Sequence, residues 1–150
     1  MNKIFIFFLP FLLMACEKNS ALTVENDPEK PVYNRQKAFK EILNAFEPMG
    51  LMRRGEMKFD FNLYEKNAKI LNDLKNKPWR FFKENTFYPP SRSKENIIEN
   101  KTEWENEIQQ YQQAVENLNE VIQQKEKNKI ELSYDNLHKT CRSCHQKFRR

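Results

Sequence analysis

Trp104-Glu105-Asn106-Glu107-Ile108-Gln109-Gln110-Tyr111-Gln112-Gln113-Ala114-Val115-Glu116-Asn117-Leu118-Asn119-Glu120-Val121-Ile122 carries its largest apolar side chains in one narrow line. Trp104, Ile108, Tyr111, Val115, Leu118 and Ile122 advance by four, three, four, three and four residues. That is the two-per-heptad seam of a helix packing along its length at a shallow angle. A half-buried strand would alternate with period two, and this stretch does not. Most other positions are Glu, Gln or Asn, which suits exposed helical faces. The whole chain has only two glycines in 150 residues, which favours helix over sheet.

Working outward, Lys125 to Lys129 reads as a polar turn. A last helix is expected from about Ser133, with Tyr134, Leu137, Cys141, Cys144 and Phe148 turned inward. On the other side, a long connection centred on Pro89-Pro90 and Ser91 separates the seam from the preceding helix. It exceeds the usual helix–helix link and is expected to wrap over the domain. That preceding helix has Asp60 as its N-cap and Phe61, Tyr64, Ala68, Leu71 and Leu74 as its stripe, and Pro78-Trp79 stops it. The first helix runs from Val32 through Arg35, Phe39, Ile42 and Phe46. Pro48 is expected to kink or end it, because proline lacks the N–H that the helix ladder needs. Four helices and no convincing strand predict an all-α, antiparallel four-helix bundle over residues 32–150.

The chain closes on Cys141-Arg142-Ser143-Cys144-His145-Gln146-Lys147-Phe148-Arg149-Arg150. Cys-x-x-Cys-His is the attachment signature of a c-type haem. Each thiol adds across one vinyl group to form a thioether, and the following histidine is placed to ligate the iron. A zinc site would need a second pair of ligands, but only His138 and Cys16 remain. A dithiol redox site would need a βαβ context, which the helical pattern denies. His138, seven residues before His145, is read as structural. One haem c per chain, covalently held by Cys141 and Cys144 with His145 on the metal, is the expectation.

The start of the chain sets the compartment. Met1-Asn2-Lys3 is a short basic head and Ile4 to Met14 an apolar run too short to span a bilayer. Leu13-Met14-Ala15-Cys16 resembles a bacterial lipoprotein box. The expectation is a signal peptide over 1–15, lipid on Cys16, and a tether over 16–31 that leads to the domain. Several acyl chains on one residue make a stable anchor, since each buried CH₂ adds about 0.8 kcal/mol. Glu17 follows the cysteine, so export to the periplasm and anchorage at the outer membrane are expected. Loss of residues 1–15 removes one lysine and leaves 25 basic against 21 acidic residues, a net +4. The charges are interleaved and make no phosphate-tracking block, so nucleic acid is excluded as a partner.

Several segments together resemble the cytochrome c prime family, bundle cytochromes with a C-terminal haem site. Arg35-Gln36-Lys37-Ala38-Phe39-Lys40 is similar to the family's first-helix signature, Gly55 to Asp60 to its turn into the second helix, and Pro78-Trp79-Arg80-Phe81-Phe82 to the segment after that helix. Thr140 to Arg149 is similar to its haem segment. The resemblance covers about Tyr33 to Arg149. Relatives that carry a methionine four residues after the first-helix arginine can fill the sixth iron position with it. Here that position is Phe39, which has no lone pair to offer, and Met49, Met52 and Met57 lie past Pro48. The resemblance therefore implies a five-coordinate iron with Phe39 over the distal face, open to small uncharged gases such as nitric oxide and carbon monoxide.

The resemblance also places Arg149 beside the proximal face and offers Arg35 to a haem propionate. Trp79 and Phe82 are expected to wall the haem edge, and the Trp79 N–H needs a partner. Acid–base catalysis would need distal acids or histidines, and none shares the Phe39 face, so a binding protein and not an enzyme is expected. Capture of nitric oxide that limits its toxicity is the leading reading. Electron transfer, with a redox partner protein the sequence does not identify, is the alternative. Family members often form homodimers through the first two helices, and the expected Pro48 kink leaves that open.

Overall fold

The computed structural model describes residues 30–150. The signal segment, Cys16 and nearly all of the expected tether lie outside the described residues. The described chain forms α1 (Pro31–Arg53), α2 (Phe61–Leu74), a 3-10 turn (Trp79–Phe81), a one-turn α3 (Asn96–Glu99), α4 (Lys101–Ile122) and α5 (Lys127–Phe148). Four long helices make the bundle, and the fold is all-α. α4 packs most extensively on α5, α1 on α2, and α2 on α4. Short connections at 54–60 and 123–126 make α1/α2 and α4/α5 antiparallel neighbours. The turns at these connections use left-handed backbone at Gly55 (φ 75°) and Lys125 (φ 57°).

Pro48 does not end α1, which continues one and a half turns to Arg53. A proline inside a helix costs about 3 kcal/mol. Met49 and Met52, just beyond it, are buried in the core, and burial contributes about 1.5–3 kcal/mol for each such side chain. The two burials outweigh the lost hydrogen bond, so the helix runs on. Pro31 opens α1, so the helix takes in the last residue of the expected tether. Proline suits that place because its missing N–H would have no helical partner there.

The last helix begins at Lys127, six residues before Ser133. Ile130 is fully buried and extends the inward line to Ile130, Tyr134, Leu137, Cys141, Cys144 and Phe148. These residues step four, three, four, three, four, as α4 does. The two seams face each other, which explains their extensive packing. At α2 the expectation holds: Asp60 accepts a hydrogen bond from the Leu63 N–H at 3.0 Å.

Two apolar clusters result. The larger holds Ile42, Met49, Tyr64, Leu71, Val115, Leu118 and Leu137 among others from α1, α2, α4 and α5. The smaller is aromatic: Phe87, Ile97, Trp104 and Phe148, with Trp79, Phe82, Ile108 and Cys144 against it. It lies under the connection from residue 75 to 100, which wraps the bundle end and includes a cis peptide bond at Pro89-Pro90. Its far end is stitched to α5 by an antiparallel bridge between Ser93 and Arg149.

Candidate haem site

Cys141 and Cys144 are one helical turn apart on α5 and both are free, half-buried thiols. Cys141 packs against the large bundle core and Cys144 against the aromatic cluster, so the pair straddles their boundary. Burial pushes the Cys141 thiol up to about 11. Burial first, and then the neighbouring Glu107 and Cys141, push Cys144 up to about 12. Both thiols thus face apolar surroundings, the kind of lining an apolar macrocycle takes. His145 is exposed in area yet closely surrounded. Desolvation, with the Arg149 guanidinium second, pulls its imidazole below the ordinary range and favours the neutral form that binds metal.

Phe39, on α1, is half-buried against the large core. Its ring meets Trp79 edge-on at 5.6 Å and Phe82 edge-on at 6.3 Å. Trp79 meets Trp104 at 5.8 Å, and Trp104 meets Phe148 at 5.2 Å. A continuous aromatic wall therefore runs from α1 across the 3-10 turn and α4 to the end of α5. The Trp79 indole N–H, which needs a partner when buried, donates to the Lys75 carbonyl at 2.6 Å, at the end of α2.

Arg35 is not a surface charge. It is 2% exposed and fans its two terminal nitrogens into the long connection. Nη1 donates to the Phe81 carbonyl and to Thr86 Oγ1, each at 3.3 Å. Nη2 donates to the Thr86 carbonyl at 2.8 Å and to Ser91 Oγ at 2.7 Å. Its guanidinium also lies 4.5 Å from the Phe82 ring centre. Burial pulls its pKa down. The arginine thus fastens the wall that carries Trp79 and Phe82. Arg149, by contrast, is exposed at the end of α5, and its backbone N–H closes on the His145 carbonyl at 3.1 Å.

Among the described residues, the methionines lie away from the Phe39 turn of α1. α1 is continuous, so Met49, ten residues past Phe39, lies about 15 Å farther along the axis. Met52 Sδ accepts from the Asp60 N–H at 3.2 Å, and Met57 is exposed in the following turn.

Sequence reasoning missed Glu107 and Tyr111 as site residues. Both sit on α4 and face α5. Glu107 is 3% exposed, and its Oε2 has no partner; the buried Tyr111 hydroxyl has none either. Tyr111 lies near Cys141 and Glu107 near Cys144. The signal was present, because Glu107 is three residues after Trp104 and four before Tyr111, on the seam face itself. Two free thiols one turn apart, a following histidine, an aromatic wall and two unpartnered polar atoms fit a haem. Cys141 and Cys144 would hold it and His145 would take its iron. Among the described residues no group of three or more His, Cys, Asp or Glu forms an alternative metal site.

Comparison with known proteins agrees. No curated protein matches the chain in sequence. Cytochrome c prime from Shewanella frigidimarina superposes with a TM-score of 0.78 at 23% identity, covering 81% of this chain and 98% of that one. Cytochrome c' from Rubrivivax gelatinosus gives 0.76 at 22%, covering 81% and 98%. A carbon monoxide-bound variant of cytochrome c prime from Alcaligenes xylosoxidans gives 0.74 at 21%, covering 82% and 96%, and a nitric oxide complex of another variant gives 0.74 at 21%, covering 81% and 98%. The family described as Cytochrome C' matches residues 30–149, and its members bind haem c covalently through cysteines, here Cys141 and Cys144. By that match, over nearly all of the described residues, the chain belongs to the cytochrome c prime family.

Proposed function

We propose that this protein binds small uncharged gases, nitric oxide or carbon monoxide, at a five-coordinate haem iron held by His145, and so limits nitric oxide toxicity. The observation that carries the reading is the surroundings of Phe39. Its ring is packed edge-on against Trp79 and Phe82, with no methionine sulfur nearby along α1. A closed apolar face excludes water and offers no hydrogen bond, which disfavours oxygen relative to nitric oxide. The Alcaligenes xylosoxidans relatives, described with bound nitric oxide and carbon monoxide, support it. Export to the periplasm and lipid attachment at Cys16 would put the gas site at the outer membrane, ahead of the cytoplasm. Among the described residues no helix is long and apolar enough to cross a membrane.

The test is Phe39→Met. The wild type should be high-spin and five-coordinate, and its ferrous form should bind nitric oxide rapidly. The variant should turn at least partly six-coordinate and low-spin and lose gas binding. A wild type that is already low-spin with a methionine–iron charge-transfer band would overturn the reading in favour of electron transfer. Cys16→Ser should abolish membrane partitioning and leave the haem spectrum unchanged.

A further inference from the structure

A buried carboxylate beside the haem-bearing turn has no role in gas binding and is poorly explained by stability. Glu107 Oε1 accepts from Lys147 Nζ at 2.7 Å and from Ser143 Oγ at 3.1 Å. Ser143 is one of the two residues between the haem cysteines, and Lys147 follows His145 by two. Oε2 is buried with no partner. Lys147 is shared with Glu103 at 2.8 Å, whose side chain is 51% exposed while that of Glu107 is 3% exposed. The trio therefore holds two carboxylates and one ammonium, and its excess negative charge has a buried half. Burying an ion pair is seldom a net gain in stability, and a buried oxygen left without a donor adds a desolvation cost. A hydrophobic residue at 107 would continue the α4 seam at no such cost.

We propose that Glu107 is a positioning charge that sets the redox balance of the haem. The ferric iron carries one more positive charge than the ferrous iron. A carboxylate in a low-dielectric setting next to the attachment turn stabilises the ferric form and lowers the reduction potential. Ser143 and Lys147 hold it there. The inference needs haem on Cys141 and Cys144 and stands whether the iron serves gases or electrons.

Potentiometric titration of the haem-loaded protein tests it. Glu107→Gln keeps the shape and removes the charge, and the midpoint potential should shift upward. Glu103→Gln removes the same charge from the same lysine at a solvent-screened position and should shift it far less, with that small shift fading at high salt. Lys147→Met removes the ammonium paired with Glu107, should move the potential downward and serves alone if Glu107→Gln fails to mature. A purely packing role for Glu107 would move Glu107→Gln and Lys147→Met in the same direction. That result, no upward shift in Glu107→Gln, a Glu103→Gln shift as large as that of Glu107→Gln, or no downward shift in Lys147→Met would overturn the proposal.

Discussion

The two apolar clusters are built by different means. The bundle core takes aliphatic and tyrosine side chains from long helices at regular spacing, and neighbouring turns of the same helix hold each one in place. The aromatic cluster takes Trp79, Phe82, Phe87 and Ile97 from an irregular connection and closes on Trp104 and Phe148 near the ends of α4 and α5. Backbone ladders cannot hold such a segment. A buried cation does: Arg35 supplies four hydrogen bonds to three residues of the connection. The bundle is a scaffold held by area, and the haem end is a wall held by directed polar contacts. Cys141 and Cys144, one facing each cluster, join them.

The sharpest way to break that contrast is to damage each side and see how far the damage spreads. Leu118→Ala in the bundle should cost about 3 kcal/mol, seen as a lower urea midpoint with faster amide exchange across all four long helices. Arg35→Ala should cost a similar ~3 kcal/mol, because it strips the donors from several buried acceptors. Its amide exchange, however, should rise mainly between residues 79 and 94. Equal spread in the two variants would show one cooperative region and not two.

High pH tests the bundle side through its buried tyrosines. Tyr134 is pushed up from 10.0 to about 12, mainly by burial, and burial also raises Tyr64 and Tyr111. The folded chain then keeps protons that the unfolded chain loses above pH 10. This stability is complete below pH 10 and falls as pH climbs toward 12, by about 1.4 kcal/mol per pH unit for each tyrosine. Tyrosinate absorbance should appear together with loss of helical circular dichroism. Tyrosinate forming well before the helices melt would show a looser core than the packing implies.

The smallest effect should come from Gly50→Ala. A Cβ there would lie 2.6 Å from the Tyr134 hydroxyl, and that ring is stacked on Phe46 at 4.6 Å, so it yields little. Overpacking of about 1–3 kcal/mol then exceeds the gain of about 1 kcal/mol in helix propensity. The thermal midpoint should drop by a few degrees, whereas an unconstrained glycine in a helix would give a rise.

Much of this was legible in the residues themselves. The α4 seam, the Asp60 cap and the haem motif are local, and local spacing determines which side chains share a helix face. The same logic, carried four residues back from Tyr134, would have placed Ile130 in α5. Pro48 misleads because the ladder argument counts one lost hydrogen bond and cannot see Met49 and Met52 buried beyond it. Arg35 and Glu107 differ in kind. A charge on a helix does not announce its partner, since that partner is 46 to 56 residues away for Arg35 and 36 to 40 away for Glu107. Periodicity and motif act over a few residues, so the helices, the bundle and the haem cysteines follow from residue order alone. That Arg35 fastens the aromatic wall and that Glu107 is buried beside the haem turn emerges with the packing of the whole chain, because polar partners are chosen by which distant groups that packing brings within hydrogen-bonding reach and shuts away from water.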